Sequence, residues 1–354
     1  MGRMEALLRQ LQDERGSDLH LAAGQPPRMR RKGSLAPIDG EDALTDAALR
    51  NLLHEITNDE QWNSYEKQND LDFAYGIPGV ARFRANYFVQ ENGAGAVFRI
   101  IPEEIQTLED LALPTAIRGF AHLDRGLVLV TGPTGSGKST SLAAVINEIN
   151  ESYAKHILTI EDPIEFVHPN KKCVFSQREV GVHATGFGPA LRAALREDAD
   201  VILVGEMRDY ETISLALTAA EMGALVFGTL HTNGAAKTID RVIDAFPADE
   251  QSQARLSLSE SLAGVVSQQL LRTSDGKGRC AANEILIRTS GLANVIREGN
   301  TPMLLNIIQS GKAQGMQTMD DALMAHLQAN RIRPEDAYLK AIDKARFEKY
   351  APAD

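Results

Sequence analysis

The chain has 354 residues, more than one ordinary hydrophobic core accommodates, and its length predicts about two domains. Hydrophobic residues at 43% and charged residues at 24% are the balance of a soluble globular protein, and no apolar run reaches the ~18 residues of a membrane span. A net charge of -11 argues against a dominant nucleic-acid surface, so no nucleic-acid partner is expected.

Cys173 and Cys280 are the only cysteines and offer neither zinc spacing nor a disulfide framework. With no signal-peptide apolar region at the N-terminus, a reducing cytoplasm is the expected setting.

Residues 1–101 read as a small α+β domain. An amphipathic helix over Met4–Gln12 precedes an alternating strand over Ser17–Leu21. Gln25-Pro26-Pro27 turns the chain into a second extended stretch. That stretch holds the basic run Arg28-Met29-Arg30-Arg31-Lys32, read first as a solvated strand and turn and second as a contact for acidic lipid or protein. Leu49, Leu52, Leu53 and Ile56 have helical spacing. Strand-like runs follow at Asp70–Tyr75, Ala81–Gln90 and Ala94–Ile101, punctuated by Pro78-Gly79 and Asn92-Gly93 turns. Arg82, Arg84 and Arg99 lie on these strands, and period-2 spacing puts Arg82 and Arg84 on one face.

Residues 102–114 read as a linker, and 115–354 as a second domain. Its apolar runs Leu127–Thr131, Ile157–Ile160, Val201–Val204 and Leu225–Leu230 alternate with helical patterns. That alternation predicts a largely parallel sheet with helices on both faces, whose ligands gather beyond the carboxyl ends of the strands. After Phe246 the pattern is mostly helical, with a turn at Gly276–Gly278, a strand at Cys280–Ile287, and helices at Met303–Ile308, Met319–Leu327 and Pro334–Phe347.

The first strand end carries Gly132-Pro133-Thr134-Gly135-Ser136-Gly137-Lys138-Ser139, a complete G-x-x-x-x-G-K-[ST] phosphate-binding loop followed by Thr140. The glycines let backbone N–H groups turn inward around phosphates at a helix N-terminus. Lys138 would add a point charge and Ser139 a hydroxyl for Mg²⁺. The expected ligand is a nucleoside triphosphate, ATP with ADP as product.

Other strand ends carry further candidates. Glu206 closes Asp200–Glu206, where a nucleotide hydrolase needs a carboxylate to deprotonate water or to reach Mg²⁺ through water; it is assigned as the catalytic base. Glu161-Asp162-Pro163-Ile164-Glu165 crowds three carboxylates that a cation would screen. Glu161 and Glu165 are the candidates for water-mediated metal contact; a solvated acidic turn is the alternative. His231 ends Phe227–His231 and is read as a γ-phosphate sensor, a link in a chain to Glu206, or a structural histidine. Arg82, Arg84 and Arg99 either form a solvated surface or neutralise transition-state charge from another domain or subunit.

Taken together these motifs resemble the secretion-ATPase superfamily of type II and type IV systems, and within it the retraction motors of type IV pili. The resemblance covers nearly the whole chain: Gly16–Leu21, Gly79–Arg84, Gly93–Phe98, Thr159–Phe166, Gln177–Val180, Leu203–Asp209, Thr229–Asn233 and Ala235–Asp240. It implies a PAS-like first domain, a RecA-like second domain with a helical C-terminal region, and six subunits in a homohexameric ring. By the same resemblance Lys138 is the Walker A lysine, Glu206 the Walker B glutamate, Glu165 the Asp-box residue, His231 the His-box residue, and Arg82, Arg84 and Arg99 arginine-finger candidates.

The implied function is a Mg²⁺-dependent ATPase that powers pilus retraction. It would work peripherally at the cytoplasmic face of the inner membrane, on a platform protein, with an accessory pilus ATPase as a possible companion. An accessory ATPase or a related secretion or DNA-translocation motor is the alternative. Two positions depart from the pattern: Ala224 stands where many relatives carry a second histidine, and Gly291–Glu298 lacks the first arginine of a helix associated with retraction. The four-cysteine insertion and long N-terminal extension usual in assembly ATPases are absent from this sequence, which favours retraction.

Overall fold

The computed structural model describes residues 2–31, 33–101 and 104–352. The chain folds as two compact units, Met1–Glu104 with Pro163–Val167, and Ile105–Asp162 with His168–Asp354.

In the first unit, α1 (Arg3–Asp13) leads into β1 (Asp18–Ala22), β2 (Arg28–Arg31) and β3 (Ser34–Pro37). Then come α2 (Asp46–His54), α3 (Asp59–Gln68), β4 (Asp70–Ile77), β5 (Ala81–Gln90) and β6 (Gly93–Ile101). The strands form one antiparallel sheet in the order β3-β2-β1-β6-β5-β4. Along β5, Ala81, Phe83, Ala85 and Tyr87 are buried while Arg82, Arg84 and Asn86 are half-buried on the opposite face. Met4, Leu7, Leu8 and Leu11 of α1 and Leu49, Leu52 and Leu53 of α2 recur at helical spacing and close the apolar face with Phe98. Each such side chain contributes about 1.5–3 kcal/mol on burial.

The sequence reading has no helix at α3, whose residues are mostly polar. Its signal is local: Asn58 accepts from the Gln61 N–H while the Gln61 side chain accepts from the Asn58 N–H, a reciprocal cap that starts the helix. The basic run forms β2 as expected, with Lys32 outside the described residues.

The second unit begins with α4 (Thr115–Ala121), β7 (Gly126–Thr131), α5 (Lys138–Ser152), β8 (His156–Glu161), β9 (Val174–Glu179), α6 (Phe187–Ala194) and β10 (Val201–Val204). It continues with α7 (Tyr210–Glu221), β11 (Leu225–Leu230), α8 (Ala235–Asp244), α9 (Gln251–Ser261), β12 (Leu262–Arg272) and β13 (Arg279–Ile287). The C-terminal helices are α10 (Ser290–Glu298), α11 (Leu304–Ser310), α12 (Met319–Gln328), α13 (Pro334–Lys340) and α14 (Lys344–Phe347). Strand order is β13-β12-β7-β11-β10-β8-β9, parallel throughout except for β12 against β13.

Alternate residues of one strand enter different cores. Leu127 and Leu129 pack with α6–α9, whereas Val128 and Val130 pack with α4 and α5. Burial on both faces is why these strands read as unbroken apolar runs. The expected α/β architecture holds: an α+β unit followed by a largely parallel sheet with C-terminal helices. The second half of the segment read as a linker is packed, with Leu108 buried beside Ile117 and Phe120; Pro102 and Glu103 lie outside the described residues.

Two expectations need correction. The region after Phe246 is not mostly helical up to the Gly276 turn, because α9 passes directly into the eleven-residue strand β12. No glycine or proline separates the two, so the helical pattern masks the change. The helix expected over Pro334–Phe347 is broken at Ala341–Asp343. There the Asp320 carboxylate takes the backbone N–H groups of Ile342 at 2.8 Å and Asp343 at 2.9 Å, satisfying the donors that an unbroken helix would use itself.

Candidate nucleotide site

The carboxyl ends of β7, β11, β10 and β8 lie in register, pairing Thr131 with Leu230, Val204 with Gly228 and Val204 with Ile160. Every candidate residue of the second unit therefore emerges at one edge of the sheet.

The phosphate-type loop spans the six residues between Thr131 and α5. Gly132 has φ +142° and Gly137 φ +83°, both in the region that disfavours side chains. A Cβ on Gly132 would meet the Gln268 carbonyl oxygen at 2.2 Å, and one on Gly137 would meet Gln268 Nε2 at 3.0 Å. Lys138 is buried and donates to the carbonyls of Gly132 (2.8 Å) and Pro133 (3.2 Å), curling over its own loop. Ser136 Oγ is buried without a hydrogen-bond partner among the described residues. An orphaned hydroxyl, a glycine-lined curve, a lysine and a helix N-terminus together suit a bound oxyanion. Ser139 lies exposed and Thr140 half-buried in the first turn of α5.

Glu206 sits two residues beyond β10 on a backbone stitched to both neighbours. The Gly205 N–H donates to the Ile160 carbonyl (2.8 Å), the Thr229 hydroxyl to the Gly205 carbonyl (2.5 Å), and the Met207 N–H to the Thr229 carbonyl (2.9 Å). Arg208 grips the carboxylate through both oxygens, Nε to Oε1 at 2.5 Å and Nη2 to Oε2 at 2.6 Å. His231 Nε2 is 3.1 Å from Oε1. Burial pushes the Glu206 carboxyl up, but the hydrogen bonds and charge of Arg208, then His231 and Lys138, outweigh it and leave it below the usual carboxylate range. The hydrogen bonds from Arg208 to Glu206 raise the guanidinium's own pKa, and the charges of Glu206 and Asp162 add to the rise.

Lys138, Glu206 and His231 thus belong to one electrostatic group, and Arg208 joins it. Arg208 lies within Leu203–Asp209 and has no role in the sequence pattern; its signal is a cation two residues from a strand-end carboxylate on a short loop.

Glu161 ends β8 and accepts from the Thr159 hydroxyl (2.7 Å) and Gln177 Nε2 (3.4 Å). Glu165 falls in Pro163–Val167, which groups with the first unit, so the acidic cluster is divided between units. Among the described residues no group of three or more His, Cys, Asp or Glu is arranged to hold a metal ion by itself.

The three arginines occupy the polar face of the first unit's sheet, where Arg84 pairs across strands with Arg99. Arg84 is bidentate on Asp72 at 2.6 and 3.3 Å, and Arg99 Nε bonds Asp18 at 2.9 Å, which offsets the like-charge pairing. Both cysteines are buried and free. Among the described residues no helix is long and apolar enough to cross a membrane.

A glycine-lined loop between β7 and α5, with a carboxylate just beyond the end of β10 two strands away, defines a P-loop nucleotide-binding fold. A model of the family described as "Type II/IV secretion system protein" matches residues 7–328, and the chain belongs to that family. It is 53% identical over 325 residues to the type IV pilus retractation ATPase PilT of Pseudomonas aeruginosa, covering 92% of this chain and 94% of that one. The type IV pilus ATPase PilU of the same organism is 41% identical over 337 residues, covering 95% and 88%. A crystal structure of the pilus retraction motor PilT with bound ADP superposes with a TM-score of 0.90 at 42% identity, over 99% of both chains. The resemblance read from the sequence is borne out by these relatives.

Proposed function

We propose that this protein is a Mg²⁺-dependent ATP hydrolase that powers retraction of type IV pili. The observation that carries the reading is the meeting of the glycine-lined loop, Lys138, Glu206 and His231 at one sheet edge, in a chain 53% identical to a pilus retraction ATPase. ATP phosphates enter the curve of Gly132–Ser139 with Thr140 behind them, and Lys138 exchanges its two loop carbonyls for phosphate oxygens. Mg²⁺, when bound, would supply charge neutralisation at the phosphates, and Ser139 with Glu161, Glu165 and Glu206, the glutamates through water, would be the residues to hold it.

Glu206 accepts a proton from the attacking water, and its low pKa keeps it ionised at neutral pH. His231 orients the carboxylate through their 3.1 Å contact. Arg82, Arg84 and Arg99 neutralise developing charge from the first domain of the same or an adjacent subunit in a homohexamer. Boundaries at 1–101, 102–114 and 115–354 divide the lever from the catalytic domain. Hydrolysis of the γ-phosphate drives a movement that is delivered to an inner-membrane platform protein from the cytoplasmic side.

Phosphate release from ATP by the purified protein, with and without Mg²⁺, tests the enzyme reading. Lys138→Ala lowers turnover by roughly 10²–10³ through weakened binding and lost charge. Glu206→Gln retains ATP binding but loses roughly 10²–10⁴ in rate; normal turnover in that variant removes the base assignment. Deletion of the gene produces excess surface pili without twitching, whereas bald cells refute retraction.

A further inference from the structure

Gln268 is nearly inaccessible to solvent at 1% exposure, and it lies on β12, a strand that carries none of the residues proposed for chemistry. β12 runs parallel to β7, pairing Val266 with Val130 and Ser267 with Thr131, so the next residue, Gln268, comes alongside the phosphate loop. Its Nε2 donates to the Ser136 carbonyl at 2.7 Å. Its Oε1 accepts from the Ser141 hydroxyl of α5 and from Asn283 Nδ2 of β13, each at 2.9 Å. A carbonyl can only accept, so Ser136 fixes which end of the amide is nitrogen. Asn283 and Ser141 then hold the other end.

From this geometry we infer that Gln268 is the positioning residue of the phosphate loop, setting the direction of the Ser136–Gly137 peptide. The peptide is planar and trans, so holding its carbonyl toward Gln268 aims the Gly137 N–H the opposite way, into the curve that receives phosphate. The close approach of Gly132 to the Gln268 carbonyl fixes the other end of the loop from the same residue. Gln268 touches no substrate; it determines the orientation of a donor that does. The inference rests on the proposed nucleotide site and deepens it.

The test is calorimetric titration of ADP with Mg²⁺ into the full-length protein, its Gln268→Met variant and a Leu271→Ala control. Met keeps the side chain's length but cannot donate to Ser136. Leu271 is a buried apolar residue on the same strand, so its truncation costs stability without touching the loop. Gln268→Met weakens ADP binding at least tenfold, while Leu271→Ala lowers the melting temperature and keeps wild-type affinity. Equal affinity in Gln268→Met and wild type overturns the inference, as does an equal loss in Leu271→Ala. Absence of ADP binding by the wild type overturns the nucleotide site itself. Should Gln268→Met fail to fold, Ser141→Ala removes one of the two donors that orient the amide; it weakens binding about threefold, and unchanged affinity there overturns the inference.

Discussion

Acidification should loosen the second unit through His168. This side chain is 7% exposed, lies flat against Phe175 with ring centroids 4.9 Å apart and planes 2° apart, and its Nδ1 has no hydrogen-bond partner among the described residues. Burial, then the positive charge of Lys171, lowers its pKa from 6.5 to about 4. Between those values the unfolded chain binds a proton that the folded chain refuses. Stability is therefore complete above about pH 6.5, falls as pH drops towards 4, and has no further contribution from this residue below that. At ~1.4 kcal/mol for each pH unit, the drop from 6.5 to about 4 makes the loss about 3 kcal/mol.

His168→Phe keeps the stack on Phe175 and removes the titration. Denaturant unfolding at pH 7.5, 6 and 5 should show wild type losing stability relative to the variant, with hydrogen exchange placing the loss at β8 and β9. Parallel pH profiles for the two proteins would refute the argument.

Three further outcomes follow from the geometry. Arg208→Gln removes the bidentate grip that, against the effect of burial, holds the Glu206 carboxyl low. A base must be ionised, so the acidic limb of the kcat profile moves to higher pH; an unmoved limb means that another group carries the proton. Gly132→Ala places a methyl against the Gln268 backbone at φ +142°. Strain of about 1–3 kcal/mol opens the loop, and titration should show ADP affinity falling about tenfold or more. Phe347, wholly buried among Leu271, Met319 and Leu323, anchors the C-terminal helices. Phe347→Ala should cost about 3–5 kcal/mol, read as lost hydrogen-exchange protection over α12–α14.

The phosphate loop and the strands β7, β8, β10 and β11 were legible without coordinates, because their causes are local. Glycine spacing encodes the turn, and burial on both faces turns each strand into an apolar run. Antiparallel β5 was legible for the opposite reason, since one polar face makes arginine alternate with Phe83, Ala85 and Tyr87. β12 was hidden because a helix feeds it without a breaking residue. α3 was hidden because its capping box, not its apolar content, starts it.

What the chain order alone determined is which residues stand at strand ends: Gly132, Glu161, Glu206 and His231. Which of them meet depended on the sheet. Strand order puts β11 between β7 and β10, and this brings His231 within 3.1 Å of Glu206. Gln268 reaches Ser136 across 132 residues of sequence because β12 pairs beside β7. Sequence periodicity carries no information about strand neighbours so far apart. Hydrogen bonds of a few ångströms exist only once the long connections have closed.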